Sequence, residues 1–371
     1  MKILIFNWRD IKNPKAGGSE QYFHEIARRW VENGHKVSWI SGGWKNCLKK
    51  EIINGIHVKR TGNELSLYLL SPLAYSKLKE KPDVIIDVEN GLPFFTPLFS
   101  KDRKILHIHH IHKDVWFKEA EGKGLKEKII ALLGFVIETK FMPLVYKKIK
   151  VVSISKSSAL EIEREKVGKI IGIVNPAFSV EKGKIKRTKF PSILLVNRIK
   201  KYKGIETLIR AFQKISERKE MKNAILYIAG TGDYLEIAKS ITRTDRIKFL
   251  GKVSDKEKYD LMRKCWIFIN PSFKEGWGIV NIEANYFGLP VIGSNVLGIK
   301  DSVINGKTGL LFEYGDEEDL ARKMLLLVKN KKMRENFGKN GKKFSRNFSW
   351  EKSAEDYLKI LKGVIKNENL G

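Results

Sequence analysis

Two carboxylates stand eight positions apart around a Gly-x-Gly turn in Glu275-Gly276-Trp277-Gly278-Ile279-Val280-Asn281-Ile282-Glu283. Carboxylates accept hydrogen bonds from sugar and ribose hydroxyls, whereas backbone N–H groups at a helix start donate to phosphate oxygens. A helix beginning near Gly278 leaves Glu275 in the preceding loop and carries Glu283 on its first turns. The amides of residues 276–280 then lie between the two acceptors, which is the polarity pattern of a nucleotide sugar. The plainer reading is a surface glutamate followed by a capping one.

A second group is cationic: Val196-Asn197-Arg198-Ile199-Lys200-Lys201-Tyr202-Lys203-Gly204. Arg198 and Lys203 beside a helix start would neutralise a diphosphate without a metal ion. A solvated basic turn is the alternative. Two glycine-rich segments, Lys15-Ala16-Gly17-Gly18-Ser19-Glu20 and Ala229-Gly230-Thr231-Gly232-Asp233, would let backbone approach a ligand. The first is not the G-x-G-x-x-G of a dinucleotide site, and both read equally as tight turns, the first with Ser19 as a helix cap. Four of the seven histidines crowd into His107-Ile108-His109-His110-Ile111-His112. Strand alternation puts 107 and 109 on one face. A metal site needs three or four converging ligands, and neither cysteine is near in sequence. Core, surface and reactive-site histidines are the other readings.

These residues sit in a chain that alternates strands and helices, twice over. Short apolar runs at 2–6, 36–40, 56–60, 84–87, 104–109, 151–154 and 170–174 predict a first parallel sheet, with helices at 19–33, 65–79, 125–148 (kinked at Pro143) and from 156. A basic, weakly patterned stretch at 176–191 reads as a linker. Runs at 192–196, 225–229, 247–250, 266–269, 291–293 and 309–312 then predict a second sheet. Ile205, Leu208, Ile209, Phe212 and Ile215 stripe the helix after its first strand. From 316 onward the pattern is helical, with Ser349 placed to cap a last helix over 350–365. The expectation is α/β: two Rossmann-like, doubly wound domains at 1–176 and 177–348, and a terminal helix at 349–371. Such sheets bind ligands at their carboxyl ends, in a cleft if the domains face one another.

The balance of 71 Lys plus Arg against 42 Asp plus Glu gives a charge of +29, and both halves are basic. Nucleic acid, an anionic membrane or a phosphorylated substrate would suit this field, and so would a merely lysine-rich protein. No nucleic-acid-reading motif is present and the basic residues are dispersed, so nucleic acid is not an expected partner. Two cysteines, Cys47 and Cys265, exclude a disulfide framework and point to a reducing cytosol. No run of 18 apolar residues is uninterrupted, so no transmembrane helix is expected.

Taken together, these motifs resemble the retaining glycosyltransferases of the GT-B fold, glycosyltransferase family 4. The E-x7-E segment carries the resemblance furthest. Asn285-Tyr286-Phe287-Gly288-Leu289-Pro290-Val291-Ile292 and Asn305-Gly306-Lys307-Thr308-Gly309-Leu310-Leu311 extend it. The resemblance implies a UDP- or GDP-linked donor held mainly by the second domain. Arg198 and Lys203 would hold the diphosphate, Glu283 the ribose and Glu275 the sugar. The amides of Gly276, Trp277, Gly278, Ile279 and Val280 would bind phosphate, with Gly17, Gly18 and Gly230 completing the donor surroundings. The family's active-site histidine usually stands alone. Here strand alignment favours His109, with His110 second. Asn285 and Tyr286 replace small residues and would narrow the donor pocket. The last helix would cross back onto the first domain, and a hinge closure would exclude water. No D-x-D cluster occurs, so neither metal nor other cofactor is expected. A sugar-nucleotide 2-epimerase of similar architecture and a basic nucleic-acid-binding protein are the alternatives.

One segment points to the acceptor. Residues 101–150 hold 12 basic and 6 acidic residues around the apolar stretch that contains Leu125, Ile129, Ile130, Leu132, Leu133, Phe135, Val136 and Ile137. Lys123, Lys126 and Lys128 precede it and Lys147, Lys148 and Lys150 follow it. Such a helix would lie on an anionic membrane and serve a lipid-linked acceptor, making the protein cytoplasmic and peripheral. Packing under the first sheet is the alternative.

Overall fold

The computed structural model describes residues 1–64, 66–122, 124–181 and 183–367. Its contacts divide the chain into two compact units, Met1–Ala177 with Phe348–Gly371, and Phe178–Asn347. The boundaries fall one residue from those expected at 176/177 and 348/349.

The first unit is built on an eight-stranded sheet: β1 (Lys2–Phe6), β2 (Lys36–Ser41), β3 (Lys50–Ile53), β4 (Ile56–Arg60), β5 (Val84–Glu89), β6 (Lys104–Ile108), β7 (Lys150–Ser153) and β8 (Lys169–Ile173). Their order is β3-β4-β2-β1-β5-β6-β7-β8, parallel except for β3 against β4. The β3–β4 hairpin was not read from the sequence. Asn54 and Gly55, both at positive φ (47° and 78°), make its two-residue turn, a strong hairpin signal beside a weak, charged strand. Leu65, the expected start of the next helix, lies outside the described residues; the helix described is Ser66–Ser76. A short helix at Asp114–Ala120 was also not anticipated. Helix Gly18–Glu32 buries Tyr22, Phe23, Ile26 and Trp30. Against it lies helix Trp350–Asn367: Trp30 Nε1 donates to the Ala354 carbonyl (2.9 Å) and Arg29 pairs with Glu351 (2.6 Å). The last helix therefore belongs to the first unit, begun by the Ser349 hydroxyl, which accepts from the Lys352 amide.

Among the described residues one helix, Leu125–Tyr146, is long and apolar enough to cross a membrane. The contrary expectation rested on an unbroken apolar run. The fold tolerates the breaks: a π-helical turn at Ile137–Phe141 takes up the irregularity just before Pro143, and Glu138 turns inward. The inward stripe is Ala131, Gly134, Glu138, Met142 and Tyr146, with Gly134 seated against the Trp116 ring. Leu125, Leu132, Leu133 and Leu144 face outward, each more than half exposed. The helix does not bury its leucines under the sheet.

The second unit's sheet contains β9 (Ser192–Val196), β10 (Ile225–Ala229), β11 (Ile247–Gly251), β12 (Ile267–Asn270), β13 (Val291–Ser294) and β14 (Gly309–Phe312). All are parallel, in the order β11-β10-β9-β12-β13-β14. Each of the five striping residues of helix Ile205–Ile215 is buried, in the core beneath β9 and β10. Both units are doubly wound α/β folds of the Rossmann kind.

Candidate active site

In the second sheet, β9 and β12 are neighbours from which successive strands are added in opposite directions. A doubly wound sheet opens at such a switch, and ligands bind where the adjacent carboxyl-end loops part. The cationic loop leaves β9 and the Glu275 loop leaves β12, so topology brings together residues 72 positions apart.

Lys203 Nζ donates to Glu275 Oε1 at 2.7 Å, with the lysine side chain only 6% exposed. Ser272 Oγ lies 2.8 Å from the same carboxylate oxygen and Asn197 Nδ2 3.5 Å. Burial pushes the Glu275 carboxyl up, but Lys203 and these donors outweigh it and hold it below its ordinary value. Arg198 is exposed on the same loop, its Nη2 3.5 Å from the Tyr202 hydroxyl. Gly230, at the end of β10, has φ 138°, and a Cβ there would stand 1.8 Å from the Asn197 carbonyl oxygen. Its role in this structure is to let the β10 loop lie against the Asn197–Arg198 backbone.

Gly278 occupies the left-handed region (φ 77°) as the N-cap of helix Ile279–Tyr286. Asn281 fixes that start: its Nδ2 donates to Ser302 Oγ (2.9 Å) and its Oδ1 accepts from Asn270 Nδ2 (3.1 Å). The helix starts with the amides of Gly278 and Ile279, the kind of end that can donate to an anion. Gly276 and Trp277 lie in the turn between Glu275 and this start, Trp277 buried and Val280 half-buried. Glu283 sits one turn into the helix, 5% exposed. Its Oε1 accepts from Lys258 Nζ (2.9 Å) and lies 3.3 Å from the Tyr259 hydroxyl, while Oε2 has no hydrogen-bond partner among the described residues. Burial raises the Glu283 carboxyl, and Lys258 opposes the rise. Asn285 is fully buried, and Tyr286 packs edge-on against Phe178.

The first unit carries the remaining candidates. Gly17 is the N-cap of helix Gly18–Glu32, so Ser19 is not the cap expected of it. The Glu20 carboxylate accepts from the Gly17 amide (2.6 Å) and from Trp8 Nε1 (2.8 Å). Ser19 Oγ instead lies 2.8 Å from His109 Nε2. His109 follows β6 directly, and burial pushes its imidazole down to about 3, leaving it neutral at physiological pH. His107 shares its face, fully buried with Nδ1 3.1 Å from the Tyr357 hydroxyl; it is a core histidine. His110 points elsewhere, stacked on His112 with ring centroids 4.4 Å apart. The structure thus groups Arg198, Lys203, Gly230, Glu275 and the Gly278 helix start in one unit. It gathers Gly17, Gly18 and His109 in the other, and separates His110 from His109.

Sequence reasoning missed Ser19, Asn197, Lys258, Tyr259, Ser272 and Asn281 as partners. Only Lys258 and Tyr259 carried a usable signal: with Ser254 and Glu257 forming a capping box, they face inward on the first turns of helix Asp255–Lys264.

Comparison with known proteins bears on this arrangement directly. The family pattern of Glycosyl transferases group 1 matches residues 179–344, and that of Glycosyltransferase Family 4 matches residues 16–157. The chain belongs to the group 1, family 4 glycosyltransferases. An uncharacterized glycosyltransferase of Haemophilus influenzae is similar over both units, 26% identical across 93% of this chain and 96% of that one. In structure, this glycosyltransferase is similar to sucrose-phosphate synthase from Thermosynechococcus elongatus (TM-score 0.78, 18% identity, 99% of each chain). It is likewise similar to Anabaena HepE solved with UDP and glucose (TM-score 0.71, 18% identity, 98% of this chain and all of that one). The fold of the glycosyltransferase is thus GT-B, with two Rossmann-like units. Its second unit presents a buried lysine, an exposed arginine, two carboxylates and a helix start, a set able to bind an anion and hydroxyls together.

Proposed function

We propose that the enzyme transfers a hexose from a nucleotide diphosphate sugar to an acceptor, with retention of anomeric configuration. The observation that carries this reading is the Lys203–Glu275 pair at the β9/β12 switch, beside the Gly278 helix start. Bond cleavage places negative charge on the leaving diphosphate and positive charge on the sugar carbon. Lys203, Arg198 and the helix amides are fixed donors for that diphosphate, so they favour the transition state over the ground state. With these cations in place, the transfer step needs no divalent ion on the diphosphate. Glu275, held ionised, accepts from sugar hydroxyls, and the unpartnered Oε2 of Glu283 accepts from the ribose. Neutral His109, oriented by Ser19, serves the reacting sugar by family resemblance. HepE, whose solved form holds UDP and glucose, makes UDP sugars the first donors to try, with GDP sugars next.

The acceptor is read from helix Leu125–Tyr146. Its outward leucines are bordered by exposed Lys126, Lys128, Lys140, Lys147 and Lys148, which suits an interfacial helix on an anionic membrane and a lipid-linked acceptor reached from the cytoplasmic face. Lys123, part of that expectation, lies outside the described residues. A thermal-shift screen of nucleotide sugars tests the donor reading, since ligand binding raises Tm by mass action. A rise with one UDP or GDP sugar, followed by an α-linked product from an α-linked donor, supports it. No rise with any, or conversion of donor alone to its epimer, defeats it.

A further inference from the structure

Away from the residues given roles above, the described residues of the first unit hold one cluster of ligand-type side chains. Glu89 ends β5, next to the switch of the first sheet, and is fully buried. Its Oε1 accepts from the Gly91 amide (2.7 Å), and its Oε2 has no hydrogen-bond partner among the described residues. His112 stands in the loop after β6. Its Nδ1 is buried, without a hydrogen-bond partner among the described residues, and faces Glu89 Oε1 at 3.6 Å and Glu138 Oε1 at 3.9 Å. Glu138 reaches in from the π-helical turn, 1% exposed. One ligand atom from each of the three lies within 4.8 Å of the others.

Two further facts bear on what these groups hold. Glu138 is fixed before any ligand arrives, because its two oxygens accept from the His112 amide (2.5 Å), the Lys113 amide (2.6 Å) and Trp116 Nε1 (2.9 Å). Oε2 takes two of these bonds and Oε1 one, so the lone-pair site left for a cation is on Oε1, the oxygen that faces His112. The acidic side is also in excess: two buried carboxylates face one imidazole. A buried carboxylate pair is costly without a counter-charge.

We propose that Glu89, His112 and Glu138 bind one divalent transition metal ion, with Zn²⁺ the best fit. Ligand–metal bonds of about 2.0–2.2 Å in a tetrahedral site set ligand atoms roughly 3.3–3.6 Å apart, close to the separations from His112 Nδ1. One imidazole with two carboxylates is an N/O donor set suited to Zn²⁺, with Mn²⁺ a poorer match. The His112 side chain, 17% exposed, gives the ion its way in and leaves coordination positions for water. Bound there, the ion ties the end of β5, the loop after β6 and helix Leu125–Tyr146 together. It is held by the first unit and has no part in the diphosphate chemistry assigned to Arg198 and Lys203.

The test is titration of the chelator-treated full chain with ZnCl2, read by calorimetry and by thermal unfolding. One Zn²⁺ per chain with micromolar or tighter affinity, and a Tm raised by several degrees, is expected. Glu89→Gln, which keeps the side chain's shape, and His112→Asn should each weaken binding more than tenfold, whereas His57→Asn, at an exposed histidine, should not. Co²⁺ in the same chain should give visible d–d absorption that Glu89→Gln removes. No binding at 100-fold excess, or unchanged binding in both cluster variants, overturns the proposal. Should a variant fail to fold, anomalous scattering at the zinc edge from wild-type crystals decides: a peak among the three side chains supports the site, and its absence there overturns it.

Discussion

The two sheets share a strand order around their switch points, yet the residues read as serving the transfer are set at their carboxyl edges in opposite ways. At the second, between β9 and β12, the side chains are charged and paired: Lys203 with Glu275, and Lys258 with Glu283 nearby. At the end of β6 in the first lie neutral, aromatic-flanked histidines, His107 against Tyr22, Phe23 and Tyr357, and His109 against Ser19. Topology supplies only the opening. What the opening can hold depends on whether its walls carry fixed charge or apolar burial.

The sharpest way to break this contrast is to remove the charge. Arg198→Ala and Lys203→Ala should each lower kcat by about 10²–10³, the scale of losing one preorganised charge-stabilising group. The two should part in stability. Lys203→Ala strands a mostly buried Glu275 and should cost about 3 kcal/mol in denaturant unfolding, while exposed Arg198→Ala should leave it unchanged. Near-normal turnover in both folded variants would remove their diphosphate role.

The histidine side of the contrast is tested by pH. His107 and His109 are both driven downward by burial, so the unfolded chain binds protons that the folded chain refuses. Their contribution is fully present above pH about 6.5 and lost as pH falls toward 3, with a slope of up to about 1.4 kcal/mol per pH unit for each histidine. Denaturant melts at pH 7, 6 and 5 should show this loss, smaller in His107→Phe. A stability that is flat across that range would mean the imidazoles titrate normally.

Vesicle sedimentation probes a third surface, the outward leucines. Binding should rise with anionic lipid and weaken with salt, and Leu132→Ser with Leu133→Ser should reduce it about tenfold. Absence of binding at low salt would leave a soluble acceptor. The smallest effect expected is that of EDTA on turnover: below Tm, kcat should stay within about twofold, since fixed cations serve the diphosphate. Loss of all activity, restored by Mg²⁺ or Mn²⁺, would place an ion in the transfer step itself.

Much of this was legible in the residues. The stripe from Ile205 to Ile215 and the apolar runs announce buried elements because periodicity is local. The Glu275–Glu283 spacing foretold a helix start between two carboxylates for the same reason. What sequence withheld is long-range: Tyr357 as the partner of His107, 250 positions away, and Ser19 as that of His109, 90 away. Glu138 misled most directly. In one dimension it interrupts an apolar run, whereas in three it turns inward to three N–H donors and leaves the leucines facing out.

The docking of helix Trp350–Asn367 on helix Gly18–Glu32 also governs the order in which the enzyme can be made. On the ribosome, the first unit's sheet emerges long before the residues that cover Trp30 and approach His107. Through the synthesis of the whole second unit, that apolar face waits open, a nascent chain with a finished sheet and an unfinished wall. Domains that fold as they emerge are expected to do so in sequence, amino terminus first. Here the amino-terminal unit is closed only after residues 178–347 have been made, so its core waits on the synthesis of the other unit.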